Sequence, residues 1–136
     1  MKTLPILLSA FLSVSVSAAD LTVTVDGINN NDGKIVVGLF NAPEAFPRGK
    51  VFNGQITPAI KGAVTVIFKD VAAGRYAISA YHDVNGNGRL DANMMGIPSE
   101  PYGFSRDALG QMGPPKFEDA AFTVDKSPVS LTIHVK

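Results

Sequence analysis

The strongest chemical signal in the chain is a run of regularly spaced side chains that carry oxygen. Segment 83–91 reads Asp-Val-Asn-Gly-Asn-Gly-Arg-Leu-Asp. Oxygen ligands at positions one, three and five, glycine at six, a backbone carbonyl at seven and an acid at nine match the start of a calcium-binding loop. The candidate metal ligands are Asp83, Asn85, Asn87, the backbone carbonyl of Arg89, and Asp91.

The match fails at the position where such a loop normally ends. Met94 stands at the twelfth position, where a bidentate glutamate is expected. Further ligands would have to be water or a distant acid such as Glu100, Glu118 or Asp119. A site with only two carboxylates would bind calcium weakly, at about 10⁻⁴ to 10⁻³ M. We expect Asp83→Asn to abolish the binding and to leave the metal-free stability nearly unchanged.

The same run has a structural interpretation that needs no metal. Segment 85–88 contains two Asn-Gly dipeptides, which are typical of tight hairpin turns because both residue types accept a left-handed backbone. A calcium site and a metal-free turn therefore stay open as alternatives. His82 lies beside the run, but its alternation with the preceding apolar positions favours a histidine at the rim of the core or within it.

Segment 92–118 shows no sustained hydrophobic period. A loop of this length is uncommon in a compact domain and is often functional, and its aromatic side chains favour an ordered conformation. It is either a recognition surface or lid, with Met112 among its contacts, or an ordered flap over one end of the fold. The candidate ligand or partner surface comprises His82, Glu100, Tyr102, Phe104 and Phe117.

Signatures of catalysis are weak, and no catalytic residue is assigned. The chain has no cysteine, and Ser105 follows Gly103 without the second glycine of a nucleophile elbow. The enzymatic alternative is a small glycan-active hydrolase that uses a carboxylate pair. Its carboxylates would come from Asp83, Asp91, Glu100, Glu118 and Asp119.

Short strands must position these loops, because apolar and polar side chains alternate along much of the chain. Helical patterns are scarce, with one short turn predicted at 42–46 and Asn41 as its N-cap. We therefore predict an all-β, antiparallel sandwich of about seven strands, transthyretin-like or immunoglobulin-like, with one long ordered loop. His134 falls on the polar face of the last strand and is expected to be solvated. The predicted strands are 21–26, 34–40, 64–69, 76–82, 120–124 and 129–136.

Length and charge limit the remaining classes. The 136 residues carry 12 basic and 12 acidic side chains, which fits one small globular domain and argues against nucleic acid, since no basic stripe is present. Lys2, the apolar segment 4–16 and the small residues at 16–18 predict a signal peptide over 1–18. The mature domain would be 19–136, exported to the periplasm or secreted, with no membrane span.

Several longer motifs carry a family resemblance. They are 33–41 (GKIVVGLFN), 68–78 (FKDVAAGRYAI), 82–91 (HDVNGNGRLD), 96–100 (GIPSE), 102–105 (YGFS) and 113–120 (GPPKFEDA). With these motifs the chain resembles the exported bacterial family known as domain of unknown function 2141 (DUF2141), which implies an exported β-sandwich and no particular activity. Segment 68–78 is also similar to transthyretin-like and collagen-binding-accessory sandwich domains, which concerns architecture alone.

Together these features predict an exported, non-catalytic binding or structural module. Its partner would be a protein or a glycan, and calcium at the 83–91 loop is the one cofactor that the residues indicate.

Overall fold

The computed structural model describes residues 3, 5 and 17–136. Nearly all of the predicted signal peptide lies outside the described residues, so it stays a prediction. No helix in the described part of the chain is long and apolar enough to cross a membrane. The strands are β1 (Ala18–Ile28), β2 (Lys34–Phe40), β3 (Asn53–Pro58), β4 (Gly62–Ala72), β5 (Gly74–Asp83), β6 (Tyr102–Phe104), β7 (Phe122–Val124) and β8 (Val129–His134).

Helical structure among the described residues is limited to three short turns. Two are 3₁₀ turns, at Pro43–Ala45 and Ser105–Asp107, and the third is the α-helix α1 (Phe117–Ala120). The predicted turn at 42–46 is present, but Ala42 rather than Asn41 occupies its N-cap position. Proline in the first turn fixes φ in the helical range, so this turn forms without a side-chain cap.

The strands form two packed sheets, which confirms the predicted all-β sandwich. One sheet has the order β4-β1-β8, and the other has the order β3-β2-β5-β6, with β7 also paired to β5. The described chain contains eight strands rather than about seven. The expectation of purely antiparallel pairing is wrong for one pair, because β1 and β8 run parallel, with Leu21 opposite Val129 and Asp26 opposite His134.

Two apolar clusters stabilise the sandwich. Between the sheets, Phe68, Tyr76 and Ile78 are buried, as the alternation predicts. On the outer face of the second sheet, Phe46 packs edge-on against three other rings, with centroid distances of 5.3, 5.6 and 6.1 Å. Those rings belong to Phe40, Phe104 and Phe117.

The outer edge of β5 is completed by two short strands and one hydroxyl. β7 pairs with its first residues and β6 with residues near its end. Between them, the Ser105 Oγ accepts the N–H of Ile78 at 2.9 Å and donates to the carbonyl of Ala120 at 2.6 Å. Ser105 is fully buried, so its hydroxyl replaces backbone partners at the gap between the two strands.

A backbone seam joins the two sheets beside β6. Tyr102 and Lys136 exchange two N–H···O=C hydrogen bonds, of 3.2 and 3.1 Å. At Gly103 an added Cβ would overlap the carbonyl oxygen of His134. Glycine is therefore required for the close approach of β6 to the end of β8.

Candidate functional site

Two buried carboxylates hold the predicted metal loop in place. The Oδ1 and Oδ2 atoms of Asp83 accept the backbone N–H groups of Asn87 and Gly88, at 3.1 and 2.8 Å. Glu100 accepts the N–H of Val84 at 2.7 Å and that of Asp91 at 2.9 Å. Glu100 therefore binds the backbone at both ends of the 83–91 segment, and Asp83 binds the backbone at its middle. These hydrogen bonds also stabilise the two buried acids, which would be costly to bury without partners.

The polar side chains of this loop also contact one another. The Nδ2 atoms of Asn85 and Asn87 donate to the Asp91 carboxylate at 2.6 and 2.7 Å. Hydrogen bonds first from Asn87 and then from Asn85 lower the pKa of Asp91. The backbone N–H of Arg89 donates to the Asn87 Oδ1 at 3.1 Å. The structure therefore brings the predicted ligands into one loop.

The metal assignment of this loop stays a prediction. Across 17–136, no group of three or more His, Cys, Asp or Glu side chains is arranged to hold a metal ion. The predicted set has only two carboxylates, with amide oxygens as its other side-chain ligands. The expectation that Asp83→Asn leaves the metal-free stability nearly unchanged needs correction. Asp83 is completely buried and accepts two backbone N–H groups, so we expect this substitution to destabilise the metal-free fold.

The predicted ligand surface is largely buried. His82, Glu100, Phe104 and Phe117 are 1%, 8%, 8% and 5% exposed, so they cannot form an accessible surface together. The two phenylalanines belong to the outer aromatic cluster, and Glu100 serves the loop backbone. The Nε2 of His82 lies 2.6 Å from the carbonyl of Asp32, and its buried Nδ1 has no partner among the described residues. This placement inside the fold corrects the surface prediction for these four residues.

Tyr102, the fifth predicted residue, is half-buried and lines a cavity of about 420 Å³ together with Phe104. The cavity lies beside the seam between β6 and the end of β8. Its apolar wall is formed by Tyr102, Phe104, Leu109, Pro114 and Pro115, and its polar end by Asp107, His134 and Lys136.

Two hydrogen bonds fix the polar end of this cavity. The Asp107 Oδ1 accepts the backbone N–H of His134 at 3.0 Å, and its Oδ2 lies 2.9 Å from the His134 Nδ1. With the proton on Nδ1, the Nε2 of a neutral imidazole is an acceptor. The Asp26 Oδ2 lies 3.8 Å from that Nε2. His134 is half-exposed, as expected for the polar face of β8, and its ring is also fixed by the Asp107 carboxylate.

Opposing effects act on the pKa of Asp107. Partial burial raises it, but the backbone N–H and ring of His134, with the charges of His134 and Lys136, lower it more. The net pKa lies below the ordinary value of 3.8. The hydrogen-bonded carboxylate is therefore the favoured form.

The backbone next to this pair is strained. Arg106 and Asp107 have φ angles of 59° and 48°, in the left-handed region, which costs about 1–2 kcal/mol per non-glycine residue. The contacts of Asp107 with His134 offset this cost, as does the 3.4 Å hydrogen bond from the Arg106 Nη1 to the carbonyl of Ala121. Such strain persists only where the surroundings enforce it, as they do here.

Residues 23–132 match the family model described as "Uncharacterized protein conserved in bacteria (DUF2141)". This range extends from β1 into β8. The chain belongs to the DUF2141 family. No curated protein and no solved structure matches the chain. For this DUF2141 protein, the likeness to transthyretin-like domains therefore stays a prediction.

Sequence reasoning missed the main groups at the polar end of the DUF2141 cavity. Asp107 lies within the aperiodic segment 92–118, and no motif links it to His134. The pairing of β1 with β8 places Asp26 opposite His134. This pairing joins strands that are distant in sequence, so the strand patterns alone could not reveal it.

The carboxylates of the hydrolase alternative already have structural partners in this DUF2141 protein. Asp83 and Glu100 accept backbone N–H groups, and the lowered pKa of Asp91 is opposite to what a general acid requires. Glu118 forms an exposed ion pair with Arg75 at 2.8 Å. Asp119 accepts the N–H of Lys116 at the start of α1. None of these five carboxylates lines the cavity beside Asp107 and His134.

Proposed function

We propose that this DUF2141 protein is an exported, non-catalytic binding module whose ligand site is the cavity beside Asp107 and His134. One observation carries the proposal: an apolar cavity of about 420 Å³ ends at an imidazole–carboxylate pair held by two hydrogen bonds. Ligand pockets typically measure about 300–1,000 Å³ and combine apolar walls with a few fixed polar groups.

The fixed geometry of the polar end supports binding without a large ordering cost. Asp107 and His134 are held by hydrogen bonds that do not involve a ligand. Binding groups that are already ordered lose little conformational freedom when a ligand arrives.

A fragment titration followed by ¹⁵N–¹H NMR tests the site. We expect small aromatic and cyclic fragments to shift the amide signals of Gly103, Asp107, Gly110 and His134. Ala108→Phe places a ring at the cavity wall and should abolish these shifts. Ala63→Phe makes the same change on the exposed part of β4 and should retain them. Unchanged binding to Ala108→Phe, or shifts confined to other regions, would contradict the proposal.

Export is tested separately by mass spectrometry of the protein from the periplasm and the medium. The segment that supports export lies in 1–18, and we expect a mature N-terminus at Ala19 or Asp20 with no lipid adduct, because the chain has no cysteine. Recovery of only the full-length chain from the cytoplasm would overturn this part of the proposal.

Calcium at the 83–91 loop is proposed as a stabilising addition to this module. The side chains of Asn85, Asn87 and Asp91 contact one another in one exposed loop, and oxygen ligands of these residue types are those that calcium prefers. Turning the two amide groups would direct their oxygens, in place of their nitrogens, toward the ion.

A further inference from the structure

The charges at the polar end of the cavity are of both signs. Asp107 carries a negative charge and Lys136 a positive one, and Lys136 lies close enough to act electrostatically on Asp107. An anionic ligand would meet Asp107, and Asp26 beyond His134; a cationic one would meet Lys136. A ligand without net charge that both donates and accepts hydrogen bonds complements charges of both signs.

Apolar side chains also line this cavity. Tyr102 lies edge-to-face with Phe104, with ring centroids 5.7 Å apart and an interplanar angle of 72°. Leu109, Pro114 and Pro115 complete the apolar wall. A ligand that fits both regions needs an apolar face for the rings and several hydroxyl groups for the charged end.

We propose that the cavity binds a neutral pyranose sugar, either free or as the terminal residue of a glycan. Its C–H face would pack on Tyr102, and its hydroxyls would donate to Asp107 and the His134 Nε2 and accept from Lys136. This inference rests on the proposed binding function. It differs from the hydrolase alternative because it requires no reacting carboxylate pair.

The test is an NMR titration with named sugars. Glucose, galactose, mannose and N-acetylglucosamine are compared with the charged analogues glucuronate and glucosamine. We expect at least one neutral sugar to shift the signals of Gly103, Asp107 and His134, and its charged analogues to bind more weakly. A disaccharide that carries the same terminal sugar distinguishes the two sources, since tighter binding than the monosaccharide indicates a glycan end.

Tyrosine variants test the stacking contact. Tyr102→Ala should weaken binding about tenfold, which corresponds to about 1.4 kcal/mol. Tyr102→Phe should retain binding, because the ring and not the hydroxyl makes the contact. Tyr81→Ala is the matched control, since Tyr81 is the cross-strand partner of Tyr102 and does not line the cavity. Thermal melts confirm that each variant is folded before the titration.

The outcomes separate this inference from the function on which it rests. If aromatic fragments occupy the cavity and no sugar does, the sugar assignment fails and the binding module stands. If neither binds, both fail. Binding of glucuronate or glucosamine as tight as that of the neutral sugar, or equal losses from Tyr81→Ala and Tyr102→Ala, would also overturn the assignment.

Discussion

Buried polar side chains satisfy backbone groups that the strands leave unpaired. Asp83 and Glu100 do so for the 83–91 loop, and Ser105 does so at the edge of β5. Sequence patterns placed Asp83 and Glu100 among candidate functional groups, because acid and amide spacing is visible in the sequence. Their structural use depends on which N–H groups lie nearby, and only the folded chain defines that.

Ser105→Ala should destabilise the domain by about 1–3 kcal/mol, because buried backbone groups of Ile78 and Ala120 would lose their partner. Urea denaturation of the two proteins measures the change. Ser130→Ala, at an exposed position of β8, is the matched control and should shift the midpoint little. Equal effects of the two substitutions would contradict the role of Ser105.

Asp107 should make stability depend on pH. Its folded-state pKa lies below the ordinary value of 3.8, so its contribution is present above 3.8 and is lost as the pH falls through the folded value. Denaturation curves between pH 5 and pH 2 should show the advantage of the wild type over Asp107→Asn shrinking below 3.8. The difference between the two proteins isolates Asp107, since Asp20 and Asp91 also have lowered pKa values. A constant difference across this range would refute the prediction.

At the scale of elements, strands with strong alternation were predictable, and the short strands β3 and β6 were not. β2 has the predicted bounds 34–40. β3 contains Ile56 as its one large aliphatic side chain, and β6 has only three residues. These two strands are defined by pairing with β2 and β5 rather than by their own patterns. The cavity was unpredictable for the same reason, because segments distant in sequence form its walls.

Calcium should raise the melting temperature by several degrees when present at about 100 times its dissociation constant, which corresponds to about 2.7 kcal/mol. Asp91→Asn should remove this rise, because it deletes a carboxylate whose partners are exposed amides. Asp83→Asn should lower stability by about 1–3 kcal/mol even without calcium, since an amide cannot accept both N–H groups through its two side-chain heteroatoms. If millimolar calcium leaves the melt of the wild type unchanged, the loop is a metal-free turn.

The turn at 110–113 offers a paired glycine test of the cavity wall. An added Cβ at Gly110 would overlap the carbonyl oxygen of Gly113, whereas one at Gly113 would meet open space. Gly110→Ala should therefore displace this part of the wall and change the amide signals of Leu109 and Asp107. Gly113→Ala should leave those signals almost unchanged. The reverse order of effects would contradict the close packing of Gly110 against Gly113.

At the scale of the whole molecule, β8 completes both the first sheet and the seam to the second. It contributes Ile133, which is fully buried, and Val135 is buried just beyond it. A chain that ends at Lys126 would expose one edge of β1 and the core beneath β8. We expect this truncated chain to be unfolded, as judged by poor dispersion of its ¹H NMR signals and the absence of a cooperative melt. A cooperative melt would show that the remaining strands form a stable sheet alone.

The parallel pairing of β1 with β8 also affects how the domain can be made. β1 precedes all the other described strands and is the central strand of its sheet, while one of its two neighbours, β8, follows all the others. Pairing between strands so far apart in sequence is slow, because a long loop must close first. A chain that emerges N-terminus first, from a ribosome or a translocation pore, therefore cannot complete this core until β8 has emerged. Throughout that interval its apolar strands are accessible to chaperones and proteases.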